Sequence, residues 1–241
     1  MIEHYFNLKI GGKLVKCPYY INHKSKKADL RSLVGKGSPT EIEDEVKIWA
    51  KVKKFDLFTS TPFQIRQFMR DNSIGIDCSG LVSYIIEAEL KSRGLKISNV
   101  LNNSFGENFW FRMYHRLRFI ENLSVQTISN PDNIVKIENL SEIKPLDMLH
   151  LKGLIDGFHI AIVYETGTND EGKKYIHYVH SSKWYNPDDG IRKGQIILTS
   201  SSNDLTYQTW IDDDKNGINF IKQEYANDKK EGYFIRLKNI N

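Results

Sequence analysis

Cys78 stands in the run Asp77-Cys78-Ser79-Gly80, between a loop signal, Asn72-Ser73-Ile74-Gly75, and an amphipathic stretch from Leu81 to Leu90. The change of pattern predicts a cysteine in the first turn of a helix. Exposed N–H groups and the positive dipole end of a helix stabilise a thiolate at that place. A thiolate is the nucleophile that cysteine hydrolases use.

A thiolate needs a base, and the base needs an orienting group. Seven histidines are available. His4, His23 and His115 carry no local signature, whereas His150, His159, His177 and His180 lie in the strand-rich half. His159 has the clearest context. It follows the loop Lys152–Phe158 and opens the apolar run Ile160-Ala161-Ile162-Val163-Tyr164, so it sits at the mouth of a strand. His177 and His180 share one strand, and side chains alternate along a strand, so only one of them faces His159. His150 reads as a structural strand residue.

Other chemistries are weaker. The four strand-half histidines are a candidate zinc cluster, but the spacing of His177 and His180 diverges on a strand. Asp212-x-Asp214-x-Asn216-Gly217 matches the first half of a calcium loop, with Phe220 and Gln223 at its ninth and twelfth positions instead of a closing glutamate. A tight acidic turn explains the same residues. Gly35-Lys36-Gly37 lacks the spacing of a phosphate loop and reads as a plain turn. Cys17, in Leu14-Val15-Lys16-Cys17-Pro18-Tyr19, reads as a small buried hydrophobe. A disulfide from it to Cys78 would block the nucleophile.

These residues need elements to position them. A Gly11-Gly12 signal predicts a hairpin joining Phe6–Ile10 to Leu14–Cys17. A helix is expected from about Pro39 to Lys53, capped by Ser38 with Glu41 or by Thr40 with Glu43. A second runs from Pro62 to about Arg70, with Thr61 as N-cap and Gln64 at the third position. The cysteine helix follows, to about Arg93. Phe105, Phe109, Trp110, Phe111, Tyr114 and Phe119 form a dense aromatic segment, read as core packing. From Val125 the pattern turns to strands: Leu149–Leu151, Phe158–Tyr164, Tyr175–His180, Gln195–Thr199, Tyr207–Ile211 and Gly232–Leu237. Loops are expected at Gly153–Gly157, Gly167–Gly172 and Asn186–Gly194. Helices first and strands later predict an α+β fold with a mostly antiparallel sheet.

The 241 residues are 40% hydrophobic and 27% charged, enough for a sizeable core in a globular chain. The net charge of +4 is scattered, with dense clusters only at Lys24–Lys27 and Lys51–Lys54, so no nucleic-acid partner is expected. No apolar run reaches the roughly 20 residues of a membrane span. No signal peptide is visible at Met1–Asn7, which leaves a cytoplasmic location or export by a non-classical route.

Asp77-Cys78-Ser79-Gly80-Leu81-Val82 resembles the nucleophile motif of the NlpC-type, papain-like cell-wall cysteine peptidases. Lys144-Pro145-Leu146-Asp147-Met148 is similar to that family's next motif, with Leu146 in place of glycine. His159-Ile160-Ala161-Ile162-Val163-Tyr164 and Val179-His180-Ser181-Ser182 resemble the two strands that follow. The resemblance covers roughly residues 72–200. It implies a papain-like fold and a single catalytic domain over 1–241, with 1–60 as an elaboration and about 95–140 as an insertion. It implies Cys78 as nucleophile, His159 as general base and His180 as its orienter. It further implies a Cys78 N–H contribution to an oxyanion hole, and Asp77 and Ser79 in contact with the substrate's amine. The implied activity is hydrolysis of amide bonds through an acyl-thioester, on peptidoglycan stem peptides or another peptide substrate, with no cofactor or metal. Acyl transfer or deamidation at the same site, and a non-catalytic binding module, are the alternatives. The family's tyrosine, about a dozen residues before the cysteine, is missing, which leaves Gln67 or Gln64 as candidate amide donors.

Overall fold

The computed structural model describes residues 1–21, 35–102, 119–153, 157–185, 187–212, 219–227 and 232–239. The expectations at His23, at His115, at Lys24–Lys27, across most of the aromatic segment and at the acidic turn after Asp212 lie outside the described residues.

The chain opens with a short helix α1 (Ile2–Phe6) and a hairpin of β1 (Leu8–Ile10) and β2 (Lys13–Val15), turned at Gly11-Gly12. Helix α2 (Pro39–Lys53) starts where its local chemistry directs. Ser38 accepts the Glu41 amide, the Glu41 carboxylate accepts the Ser38 amide, and Pro39 occupies the first turn, where no N–H is needed. The alternative box with Thr40 does not form. Glu43 is buried and accepts the Lys9 amide at 2.7 Å, with the His4 ring 2.8 Å away. Helix α3 (Pro62–Asp71) is capped in the same reciprocal way by Thr61 and Gln64.

Helix α4 (Cys78–Ser92) is buried on almost every side of its first three turns and exposed only toward its C-terminal end, so it is more enclosed than the amphipathic pattern predicts. Short helices α5 (Ile97–Val100) and α6 (Val125–Ile128) follow. The remainder is β3 (Ile134–Ile137), β4 (Met148–Gly153), β5 (Gly157–Thr168), β6 (Lys174–Ser182), β7 (Gly190–Ile197), β8 (Thr209–Asp212), helix α7 (Phe220–Asn227) and β9 (Tyr233–Leu237).

Seven strands form one sheet in the order β3-β9-β4-β5-β6-β7-β8, and each neighbouring pair is antiparallel. The fold is therefore α+β with an antiparallel sheet. Alternation along β5 sends Ile160 and Ile162 to the face covered by α4, and Ala161 and Val163 to the face covered by α7. Both faces are apolar because both are covered. Among the described residues, no helix is long and apolar enough to cross a membrane.

Three expectations are corrected. Val125–Ile128 is a helical turn capped by Ser124, not a strand. Gly167 belongs to β5 and Gly190–Gly194 to β7, so two expected loops are shorter. At Gly194 a Cβ would fall 2.3 Å from the Tyr178 ring, so this glycine marks a close approach inside the sheet and not a turn.

Candidate active site

The turn that carries Cys78 is held from three sides. Asp77 is the N-cap of α4, and its Oδ1 accepts the Gly80 amide at 2.6 Å and the Ser79 hydroxyl at 2.9 Å. The preceding Ile76 donates its amide to Pro18 O, and its carbonyl accepts the buried Ser181 hydroxyl of β6 at 2.7 Å. The Asp77 amide donates to Gly35 O at 2.9 Å. Segments 17–20 and 35–37 and strand β6 thus fix the point at which α4 begins.

The sheet opens at this point. The pairing of β5 with β6 ends at Ile162 with Val179, while β5 continues back to Gly157 on β4 and β6 continues to Ser182 on β7. The start of α4 meets β5 there: the backbone N–H of Ile160, the residue after His159, is oriented to favour charge on the Cys78 sulfur.

His159 and His180 are brought together. His159 Nε2 lies 3.1 Å from His180 Nδ1, with the rings edge to face. Both share the sheet face of Ala161 and Tyr178, and the Trp184 ring lies against His159 with centroids 4.6 Å apart. His177 points elsewhere, with its Nδ1 2.9 Å from the exposed Glu165 carboxylate. The parity of one strand therefore decides between His177 and His180.

Burial sets the protonation of this group. It pushes the Cys78 thiol up to about 12, with Asp77 adding to the rise and Lys36 and the Ile160 and Ser79 amides opposing it. It pushes His159 down to about 3, helped by His150. His180 is driven well below its usual value by burial and then by His159, Arg192 and Lys16. Arg192 is held behind it, stacked on Tyr185 at 3.7 Å and paired to Asp188 at 3.1 Å. At neutral pH the resting site holds a thiol and two neutral imidazoles.

Asp77 and Ser79 already have a cation. The buried Lys36 ammonium donates to Asp77 Oδ1 at 2.9 Å, Ser79 Oγ at 2.5 Å and Leu123 O at 3.0 Å, which uses all three of its protons. The role expected for these two residues, contact with a substrate amine, is met inside the chain by Lys36. The plain-turn reading of Gly35-Lys36-Gly37 missed this. In the fold the Lys36 stem lies over Gly80, where a Cβ would fall 2.7 Å from Gly35 O and 2.9 Å from Lys36 Cδ.

Neither candidate glutamine is seen donating toward Cys78. Gln64 accepts the Thr61 amide with its Oε1 as part of the α3 cap, and Gln67 donates to Asp71 at 2.8 Å. His150 lies between Phe158 and Tyr233, with centroids 5.4 and 4.9 Å away, and burial holds it down at about 4. Cys17 and Cys78 are both buried free thiols. Among the described residues no three His, Cys, Asp or Glu side chains converge as a metal site would require, so the four-histidine zinc reading is dropped. Asp147 of the second motif is a buried support: Arg236 grips both of its oxygens at 2.7 Å.

No protein-family model, curated protein or solved structure matches this chain.

Proposed function

We propose that this protein is a papain-like cysteine hydrolase of the NlpC type that cleaves amide bonds, with peptidoglycan stem peptides as its substrate class. The observation that carries the reading is one juxtaposition. The Cys78 sulfur lies against the Ile160 amide, at the mouth of the strand whose preceding residue, His159, is hydrogen-bonded to His180. The substrate class rests on resemblance of motifs alone.

The chemistry follows from a neutral pair. For His159 to act as a base at Nδ1, its Nε2 carries the proton and donates it to His180 Nδ1, which leaves the proton of His180 on its own Nε2. The Cys78 sulfur adds to the substrate carbonyl carbon as its proton passes to His159 Nδ1. The carbonyl oxygen becomes an oxyanion beside the first-turn N–H of Cys78, which has no acceptor within the helix. Collapse breaks the C–N bond, and His159 returns the proton to the leaving amine. Water then attacks the thioester with His159 again as base. The free acid leaves and the thiol is restored. His180 accepts the Nε2 proton throughout, so it steadies the imidazolium while that exists.

The test is mass spectrometry of enzymatically solubilised muropeptides incubated with wild type, Cys78→Ala and His159→Ala. Amide cleavage by wild type alone, with one oxygen from labelled water in the new carboxylate, is expected. Cleavage by Cys78→Ala, or none by wild type, would overturn the reading. A product carrying an added amine in place of labelled oxygen would reassign the site to acyl transfer.

A further inference from the structure

We infer that Lys36 is a positioning residue of the nucleophile: a built-in counter-cation that neutralises the Asp77 cap and clamps the first turn of α4, so that Cys78 is able to ionise. This rests on the proposed role of Cys78 and adds a residue 42 positions upstream of it. Its ammonium makes three bonds, to the cap of α4 (Asp77), to the first turn of α4 (Ser79) and to the carbonyl of Leu123 just before α6. Its stem crosses Gly80, the one position of the turn with no side chain to obstruct it.

Asp77 is needed as a cap, because its oxygen holds the Gly80 amide. A carboxylate beside a nucleophilic sulfur is nonetheless harmful, because like charges oppose formation of the thiolate. An uncompensated buried carboxylate also destabilises the fold. A lysine placed on the same oxygen removes both penalties and leaves the cap in place. The groups that bear on the Cys78 charge are then Asp77 at the start of α4 and Lys36 from the 35–37 segment, together with the Ile160 and Ser79 amides.

The sign of the effect separates this role from mere packing. Peptide-resolved iodoacetamide labelling of Cys78 from pH 6 to 11 follows its thiolate fraction below the midpoint, and the offset of the rate–pH line between variants gives the shift of that midpoint, with fold checked by near-ultraviolet circular dichroism. Lys36→Met leaves the carboxylate alone. Its midpoint should rise by a unit or more, with labelling about tenfold slower at a fixed pH below it. Asp77→Asn leaves the ammonium alone and should lower the midpoint. The double substitution should return it close to wild type. If Lys36→Met fails to fold, Asp77→Asn and the double variant decide the matter. Shifts of the same sign in the two single variants, or no shift in either, would overturn the inference. The reading of Cys78 has its own arm: a His159→Ala protein that labels with the wild-type profile would sink the Cys–His pair, whatever Lys36 does.

Discussion

Acidification toward pH 4.5 is expected to destabilise this protein through its buried imidazole pair. His159 is held near 3 in the folded chain by burial and by His150, against about 6.5 when unfolded. Between these values the unfolded chain binds a proton that the folded chain refuses. The contribution to stability is therefore complete above about 6.5 and is lost as the pH falls toward 3. Each unit is worth about 1.4 kcal/mol, so at pH 4.5 one such histidine has withdrawn about 3 kcal/mol. His180 is displaced in the same direction. The two share a hydrogen bond, so the first proton belongs to the pair and the losses do not simply double. A loss of this size is a large fraction of a typical domain's stability. Urea unfolding followed by tryptophan fluorescence at pH 7, 5.5 and 4.5 measures it. Wild type should lose about 3 kcal/mol more over that span than His159→Gln/His180→Gln does. His150 is also held low, but it is present in both proteins and cancels in the comparison. Equal losses in the two proteins would refute the buried neutral pair.

Two further substitutions test the frame around the site. Gly80→Ala puts a methyl group 2.7 Å from Gly35 O, and should cost about 2 kcal/mol or more in urea unfolding while displacing Lys36. An unchanged stability would mean that the 35–37 segment does not cross the helix. Arg236→Met strips the partner from Asp147, which is 1% exposed, and should cost about 3 kcal/mol, toward the low end for a buried pair because Arg236 is itself partly exposed. Adding Asp147→Asn should recover most of that loss, and a double variant no better than the single would exclude an unpaired carboxylate as the cause.

The helix starts were legible because capping is local. Ser38, Thr61 and Asp77 each bind an amide three residues on, and a pattern of that length is visible in a one-dimensional string. Strand parity made it legible that only one of His177 and His180 could face His159; the choice of His180 rests on the resemblance of the Val179-His180-Ser181-Ser182 run. The ends of β5 and β7 were obscured by glycines. Glycine signals either a turn or a close approach, and only the Tyr178 ring across Gly194 tells which. Lys36 was illegible for a stronger reason. Its partners, Asp77, Ser79 and Leu123, are 41, 43 and 87 residues away, and an isolated lysine between two glycines carries no trace of them.

Leu146 shows the reverse case, in which the residue type gives no sign of the backbone conformation it takes. The motif it resembles has glycine at this position, and Leu146 adopts a φ of 74°, the left-handed conformation that glycine accepts freely. A leucine there costs about 1–2 kcal/mol of backbone strain. Its side chain packs against the α4-side core, which offsets part of that cost. The turn is further held by the Leu146 amide on Val163 O at 2.9 Å and by the Lys144 amide on Asp147 at 2.8 Å. These bonds tie the turn to β5, the strand that carries His159. The positive φ is therefore a requirement of the β4 entry, and residue identity at position 146 is the weaker guide. The same distinction applies to Asp77 and Ser79. Their types match a site for a substrate's cation, while the structure around them supplies the cation from within.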